Sequence, residues 1–159
     1  MNLKEQTRQA LAALPLFSGT AHTFELHAPE QHLRCELTAL DSLACAFTEL
    51  VLRSDRLTGK STDELKQVAQ NLSSKLTYLL EPISPIETDA EGCTVQMRSN
   101  PPQKEADRTS YYELIVARAG ELRLVRYTRT PGQPREIVPA EVTREVLCRL
   151  VDDLSTALN

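Results

Sequence analysis

The sequence predicts an α+β fold: a single domain in which an antiparallel sheet, built from consecutive hairpins, carries helices packed on one face. Three observations lead there. In residues 111–129 two apolar-rich runs flank Arg118-Ala119-Gly120, a three-residue hairpin loop ending on a glycine suited to left-handed backbone. Near both ends of the chain, and again after Ser61, apolar residues recur at helical spacing. The strand-like segments follow one another without the helices that βαβ units need, so their pairing is antiparallel. The predicted order is α-β-β-α-α-β-β-β-β-(β)-α.

Taken in order, Asn2 caps a first helix, with Glu5 three residues on as its capping-box partner. Leu3, Thr7, Ala10, Leu11 and Leu14 form its stripe, and Pro15 ends it. The period then changes to two. Phe24, Leu26 and Ala28 alternate with polar residues, as do Leu33, Cys35, Leu37 and Ala39 after Pro29-Glu30-Gln31-His32. Pairing Ala28 with Leu33 puts both sets on one face of a hairpin. Asp41 or Ser42 reads as the cap of a second helix that turns Leu43, Phe47, Leu50 and Val51 inward. A third helix starts at Ser61 with a capping box to Glu64, carries Leu65, Val68, Ala69, Leu72, Leu76 and Leu79, and stops before Pro82 and Pro85.

Residues 86–89 and 93–98 form the next hairpin, turned around Gly92. Residues 99–110, SNPPQKEADRTS, contain no large apolar side chain and read as a mobile surface loop within one domain spanning 1–159. In the following hairpin Val116 faces Leu122 and Leu114 faces Leu124, leaving Glu113, Ile115, Arg123, Val125 and Tyr127 on the opposite face. A two-residue Ala-Gly loop would scatter the apolar set over both faces. Residues 136–138 give one more short strand. Pro139 opens a last helix carrying Val142, Val146, Leu150 and Leu154.

With 159 residues, 41% apolar and 25% charged, the chain can fill one core. Tryptophan is absent and only four tyrosines and three phenylalanines occur, so that core is aliphatic. A net charge of −4 offers no general attraction to nucleic acid or acidic membranes, and no apolar run approaches the ~20 residues that span a bilayer. Residues 10–17 are faintly signal-like, but Glu5 lies in the would-be basic region and Pro15 interrupts the apolar run. Cys35, Cys45, Cys93 and Cys148 form no CxxC pair and sit in apolar patterns, as buried, reduced cysteines of a cytoplasmic protein do.

Candidate chemistry is sparse. Thr58-Gly59-Lys60-Ser61-Thr62 has the ending of a phosphate-binding loop, but Ser54 stands where its first glycine belongs and the preceding segment reads as helical. His22, His27 and His32 recur at intervals of five; His27 is expected to point outward and His32 to sit in the turn, with no second ligand beside either. No GxSxG turn supports a nucleophile, and Asp152-Asp153 and Glu87/Asp89/Glu91 read as solvated acids. No catalytic, cofactor-binding or metal-ligating residue is therefore assigned.

The expectation is a non-enzymatic interaction or assembly module, a homo-oligomer or a binder of another protein, chaperone- or adaptor-like. Small acidic α+β chains with terminal helices include bacterial secretion chaperones, a likeness of architecture carried by no motif. The surface expected to meet a partner is Tyr111, Ile115, Arg123, Val125 and Tyr127, the apolar-aromatic set left on the sheet face that helices do not cover. One alternative is a small-molecule binder or enzyme with a cleft between sheet and helices, roofed by residues 99–110. Another is a nucleic-acid binder using the six arginines of residues 108–135, where only Glu113 and Glu121 oppose them.

Overall fold

Gly120 adopts φ 110° and closes the 118–120 loop by donating its N–H to Ala117 O at 3.0 Å. Val116 pairs with Leu122 and Leu114 with Leu124, the register that the apolar alternation requires. Around this hairpin the computed structural model, which describes residues 1–158, builds three helices and ten strands. They run α1 (Leu3–Ala13), β1 (Phe17–Ala28), β2 (Gln31–Leu40), β3 (Ala44–Ser54), α2 (Thr62–Lys75), β4 (Ile83–Asp89), β5 (Thr94–Ser99), β6 (Gln103–Glu105), β7 (Arg108–Ala117), β8 (Glu121–Arg129), β9 (Glu136–Val138), β10 (Ala140–Thr143) and α3 (Arg144–Thr156).

All pairings are antiparallel, in the lateral order β1-β2-β3-β8-β7-β5-β4. Two rows of side chains cross five strands on the helix face. Cys35, Leu50, Leu124, Leu114 and Met97 form one row; Leu33, Leu52, Leu122, Val116 and Val95 form the other. Every one of them is fully buried. Burying each large aliphatic side chain contributes about 1.5–3 kcal/mol, so these rows anchor the fold. α2 covers the β4-β5-β7 half through Leu65, Val68, Ala69 and Leu72. α1 and α3 pack on each other over the β3 half, α3 through Leu147, Leu150, Val151 and Leu154.

The caps follow the sequence. Asn2 Oδ1 accepts from Glu5 N at 2.8 Å, and Ser61 and Glu64 form the reciprocal capping box of α2. α2 ends at Lys75, yet Leu76 and Leu79 remain buried beyond it. The four cysteines are unpaired and buried.

Four expectations are corrected. Residues 44–54, expected as a helix, are the central strand β3. Its pairing with β2 steps from Glu36↔Glu49 to Leu37↔Phe47, so Thr48 is an extra, bulged residue. The bulge shifts the inward set from Cys45 and Phe47 to Leu50 and Leu52. Val51, 3% exposed on the other face, completes a spacing that mimics a helical stripe. Ala28 pairs with Gln31 rather than Leu33, because Pro29-Glu30 alone makes the turn, with Glu30 at φ 63°. The two-residue change in register keeps the faces unaltered. Residues 99–110, expected as a mobile loop, hold the β6–β7 hairpin, with Gln103↔Ser110 and Glu105↔Arg108 paired. Residues 140–143, expected to begin the last helix, are strand β10; α3 starts behind Thr143, whose Oγ1 accepts from Val146 N at 3.0 Å. The order is therefore α-β-β-β-α, then seven strands, then α.

One consequence is a fork. β3 and β8 pair only over Leu50↔Leu124 to Arg53↔Glu121. Beyond that, β10 takes β3 (Phe47↔Ala140) and β9 takes β8 (Thr128↔Glu136), with Pro139 between the two short strands. Residues 136–143 thus wedge into the sheet where its two halves part.

Candidate interaction surfaces

Tyr111, Ile115, Arg123, Val125 and Tyr127 share the face opposite the leucine rows, as expected. That face is not bare. Val125 is 1% and Tyr111 6% exposed, and arginines of the same chain lie over the tyrosine rings of this face. Arg135 stacks over the Tyr127 ring at 3.8 Å and donates to Glu113 Oε2 at 2.6 Å and to Tyr111 Oη at 3.4 Å. Hydrogen bonding to Tyr111, with the Glu113 charge beside it, raises the Arg135 pKa further. Arg98 lies 4.6 Å over the Tyr111 ring, and Gln96 donates to Glu113 at 2.6 Å. Arg123 donates to Glu49 at 2.8 Å, and Arg34 pairs with the same carboxylate. The premise that this apolar set waits for a partner is corrected for Tyr111 and Val125. Ile115, Arg123 and Tyr127 are half-buried.

Four of the six arginines of residues 108–135 are engaged within the chain. Arg108, Arg123, Arg126 and Arg135 form ion pairs with Glu105, Glu49, Glu81 and Glu113. Arg123 and Arg126 face opposite sides of β8, so they build no common patch.

Arg126 belongs to a different feature, a cleft of about 700 Å³ between the exit of α2, residues 101–103, β8 and the 139–146 segment. Its floor is polar and internally matched. Arg126 donates to Glu81 at 3.3 and 2.9 Å and to Gln103 Oε1 at 2.9 Å, and lies 4.6 Å over the Tyr112 ring. The Arg126 and Glu81 side chains are only 11% and 10% exposed. Burial pushes the Tyr112 phenol up, against the opposing pull of Arg126. The walls are apolar, from Pro82, Pro101, Pro102, Pro139, Val142 and Val146. Tyr78 braces one wall, donating to Asp153 Oδ2 at 2.8 Å beneath the Arg149 guanidinium; burial, then the bond to Asp153, pushes its pKa upward. On the lip stands Leu80, 96% exposed and held at φ 68°. A branched side chain in left-handed backbone costs about 1–2 kcal/mol, and here no burial offsets it.

This cleft is bordered by the exit of α2, the sheet and the start of α3, with Gln103 of the 99–110 segment in its lining, and it does not lie against a helix at 44–54, which is strand β3. Tyr111 and Tyr127 are not part of it. Sequence reasoning missed Leu80, Tyr78, Glu81 and Val146; the only trace was the run of prolines at 82, 101, 102 and 139, distant in sequence and adjacent in space.

Two motifs read differently in three dimensions. His27 and His32, expected to be separated, are cross-strand partners with rings stacked at 4.5 Å and 12°, and Glu25 lies 3.9 Å from His32 Nε2. Among the described residues no three potential ligands cluster in metal-binding geometry. The Gly59-Lys60-Ser61 turn does leave a strand, β3, contrary to expectation. However, Leu57, Thr58 and Lys60 donate their N–H groups to Ser54 O, Asp55 O and Leu57 O, all at 3.2 Å. Glu64 occupies Ser61 N at 3.1 Å. Those N–H groups are consumed within the turn, so no phosphate cradle is formed.

No helix among the described residues is long and apolar enough to cross a membrane. Compared with known proteins, the sequence matches no family, no curated protein and no solved structure.

Proposed function

We propose that this chain is a non-enzymatic protein-interaction module, adaptor- or chaperone-like, that receives an extended segment of another protein in the cleft and also assembles with itself. The observation that carries the reading is Leu80: an almost fully exposed leucine, strained at φ 68°, at the border of the proline-walled cleft. Exposed apolar surface rimmed by polar groups marks sites where proteins meet. The cleft floor supports binding over chemistry, since Arg126, Glu81 and Gln103 satisfy one another and leave contact area as what the cleft offers. A cytoplasmic location accords with four unpaired, buried cysteines.

Panning a random dodecapeptide phage library on the native protein tests this. Peptides rich in apolar residues should emerge, bind the wild type, and lose at least tenfold in affinity for Val146→Lys, which places an ammonium in the cleft wall. Enriched peptides that bind Val146→Lys equally well, or no enrichment at all, would overturn the reading. A volume of about 700 Å³ also suits a small molecule, which sustains a second reading of the same cleft.

A further inference from the structure

We propose that the outer edge of β1 pairs antiparallel with β1 of a second copy, about a two-fold axis at Leu26, so that two sheets become one. This deepens the self-association half of the function proposed above and rests on it; it does not depend on the cleft.

The two sheet edges are treated differently. β4 carries Pro85, a register break between Pro85 and Glu87, and the acids Glu87 and Asp89, all devices that discourage a further strand. β1 is a 12-residue edge strand with no proline and no lysine, and Glu25 is its one formal charge. Its regular part, 22–28, pairs with β2 without interruption.

Backbone phase selects the partner groups. Gln6 Nε2 donates to His27 O at 2.7 Å, so that carbonyl points away from β2, and the strand pairing displaces the Gln6 side chain from it. Because strand geometry alternates, Thr23, Glu25 and His27 all turn their N–H and C=O groups outward. A second copy of β1 presents the same odd-numbered set, and odd-to-odd pairing also keeps the helices of both copies on one side. Four such registers centre on residues 24 to 27. Centring on Glu25 opposes two carboxylates, and centring on His27 opposes two imidazoles. Centring on Phe24 sets Glu25 against Thr23. Only a centre at Leu26 sets Glu25 against His27 of the second copy, twice over, a carboxylate beside a hydrogen-bond donor. The same register joins Phe24 to Ala28 and Leu26 to itself. These three side chains, each half-buried at the margin of the core, then continue as one apolar seam.

Disulfide trapping reads the register. Leu26→Cys should form a covalent dimer on non-reducing gels under mild oxidation, whereas Thr23→Cys, whose two copies are six residues out of register, should not. The native cysteines are at most 7% exposed and give little background. Glu25→Lys, at an exposed position, should weaken the dimer at least tenfold in light-scattering chromatography without unfolding it, and Glu25→His/His27→Glu should restore it. A strictly monomeric wild type removes self-association and the edge pairing together. A dimer indifferent to Glu25→Lys that fails to cross-link at residue 26 overturns the edge pairing while self-association stands. Cross-linking through Phe24→Cys in place of Leu26→Cys overturns the register.

Discussion

Replacing Arg126 with methionine tests the cleft floor. The bidentate pair to Glu81 and the bond to Gln103 vanish, and a carboxylate whose side chain is 10% exposed loses its counter-charge. Breaking a buried pair from one side costs about 3–5 kcal/mol, because the remaining ion keeps its desolvation penalty without the attraction that offset it. A domain of this size is stable by roughly 5–15 kcal/mol, so the variant stays folded but is visibly weakened. With a urea m-value of about 2 kcal/mol/M, the unfolding midpoint should fall by about 1.5–2.5 M. The companion variant Arg126→Met/Glu81→Met removes both charges and keeps the apolar packing over Tyr112. It should recover most of the loss, since apolar replacements of buried ion pairs are often near neutral. Equilibrium urea unfolding of the four proteins in this cycle supplies every number needed. A midpoint shift below about 0.5 M for Arg126→Met, or a double variant as unstable as the single one, would refute the idea that the floor is a closed polar unit.

Three further outcomes follow from the geometry. Gly120→Ala should cost about 1–3 kcal/mol in urea unfolding, since φ is 110° and a Cβ would stand 3.3 Å from Ser54 O. Gly132→Ala, at φ 79° with open space around it, should cost less. Burial raises the Cys35 thiol well above its ordinary value and pushes Cys45 up to about 11. Both should resist a thiol-specific colorimetric reagent at about pH 8 in the native protein, where an ordinary thiol reacts, and all four cysteines should react once denatured; prompt reaction of most thiols in the native state would contradict this. The N–H groups of Ala44 and Leu43 lower the Asp41 pKa, and the N–H of Ser61 lowers that of Glu64. Both carboxyls are depressed on folding, so their stabilisation is complete above unfolded values of about 3.9 and 4.3 and is lost as pH falls through the folded ones. Asp41→Asn/Glu64→Gln should therefore lose less stability than wild type between about pH 5 and 2, measured as the pH dependence of the urea midpoint.

Where local chemistry and burial agreed, the fold was legible. Gly120 set the loop, alternation set the Leu114–Leu124 pair, and Ser61 with Glu64 set the start of α2. β3 was misread because a single bulged residue, Thr48, converts strand alternation into helix-like spacing between Phe47 and Leu50. β6 was missed because Gln103, Lys104 and Glu105 are all exposed, so nothing imposes a periodicity on them. β10 was hidden by Pro139, which suits a helix start as well as the break between two short strands. The cleft was beyond reach for another reason. Its lining comes from five separate stretches of chain, which meet where the sheet forks. The open face was predicted in residues but not in state: no local pattern says that Arg135 folds back over Tyr111 and Tyr127.

Native mass spectrometry of the protein purified without refolding addresses the interaction reading most directly. A dimer mass with no bound small molecule is the expected result, and it places self-association and an unfilled cleft in one spectrum. A monomer carrying excess mass that leaves on denaturation would contradict it and transfer the cleft to a small-molecule ligand.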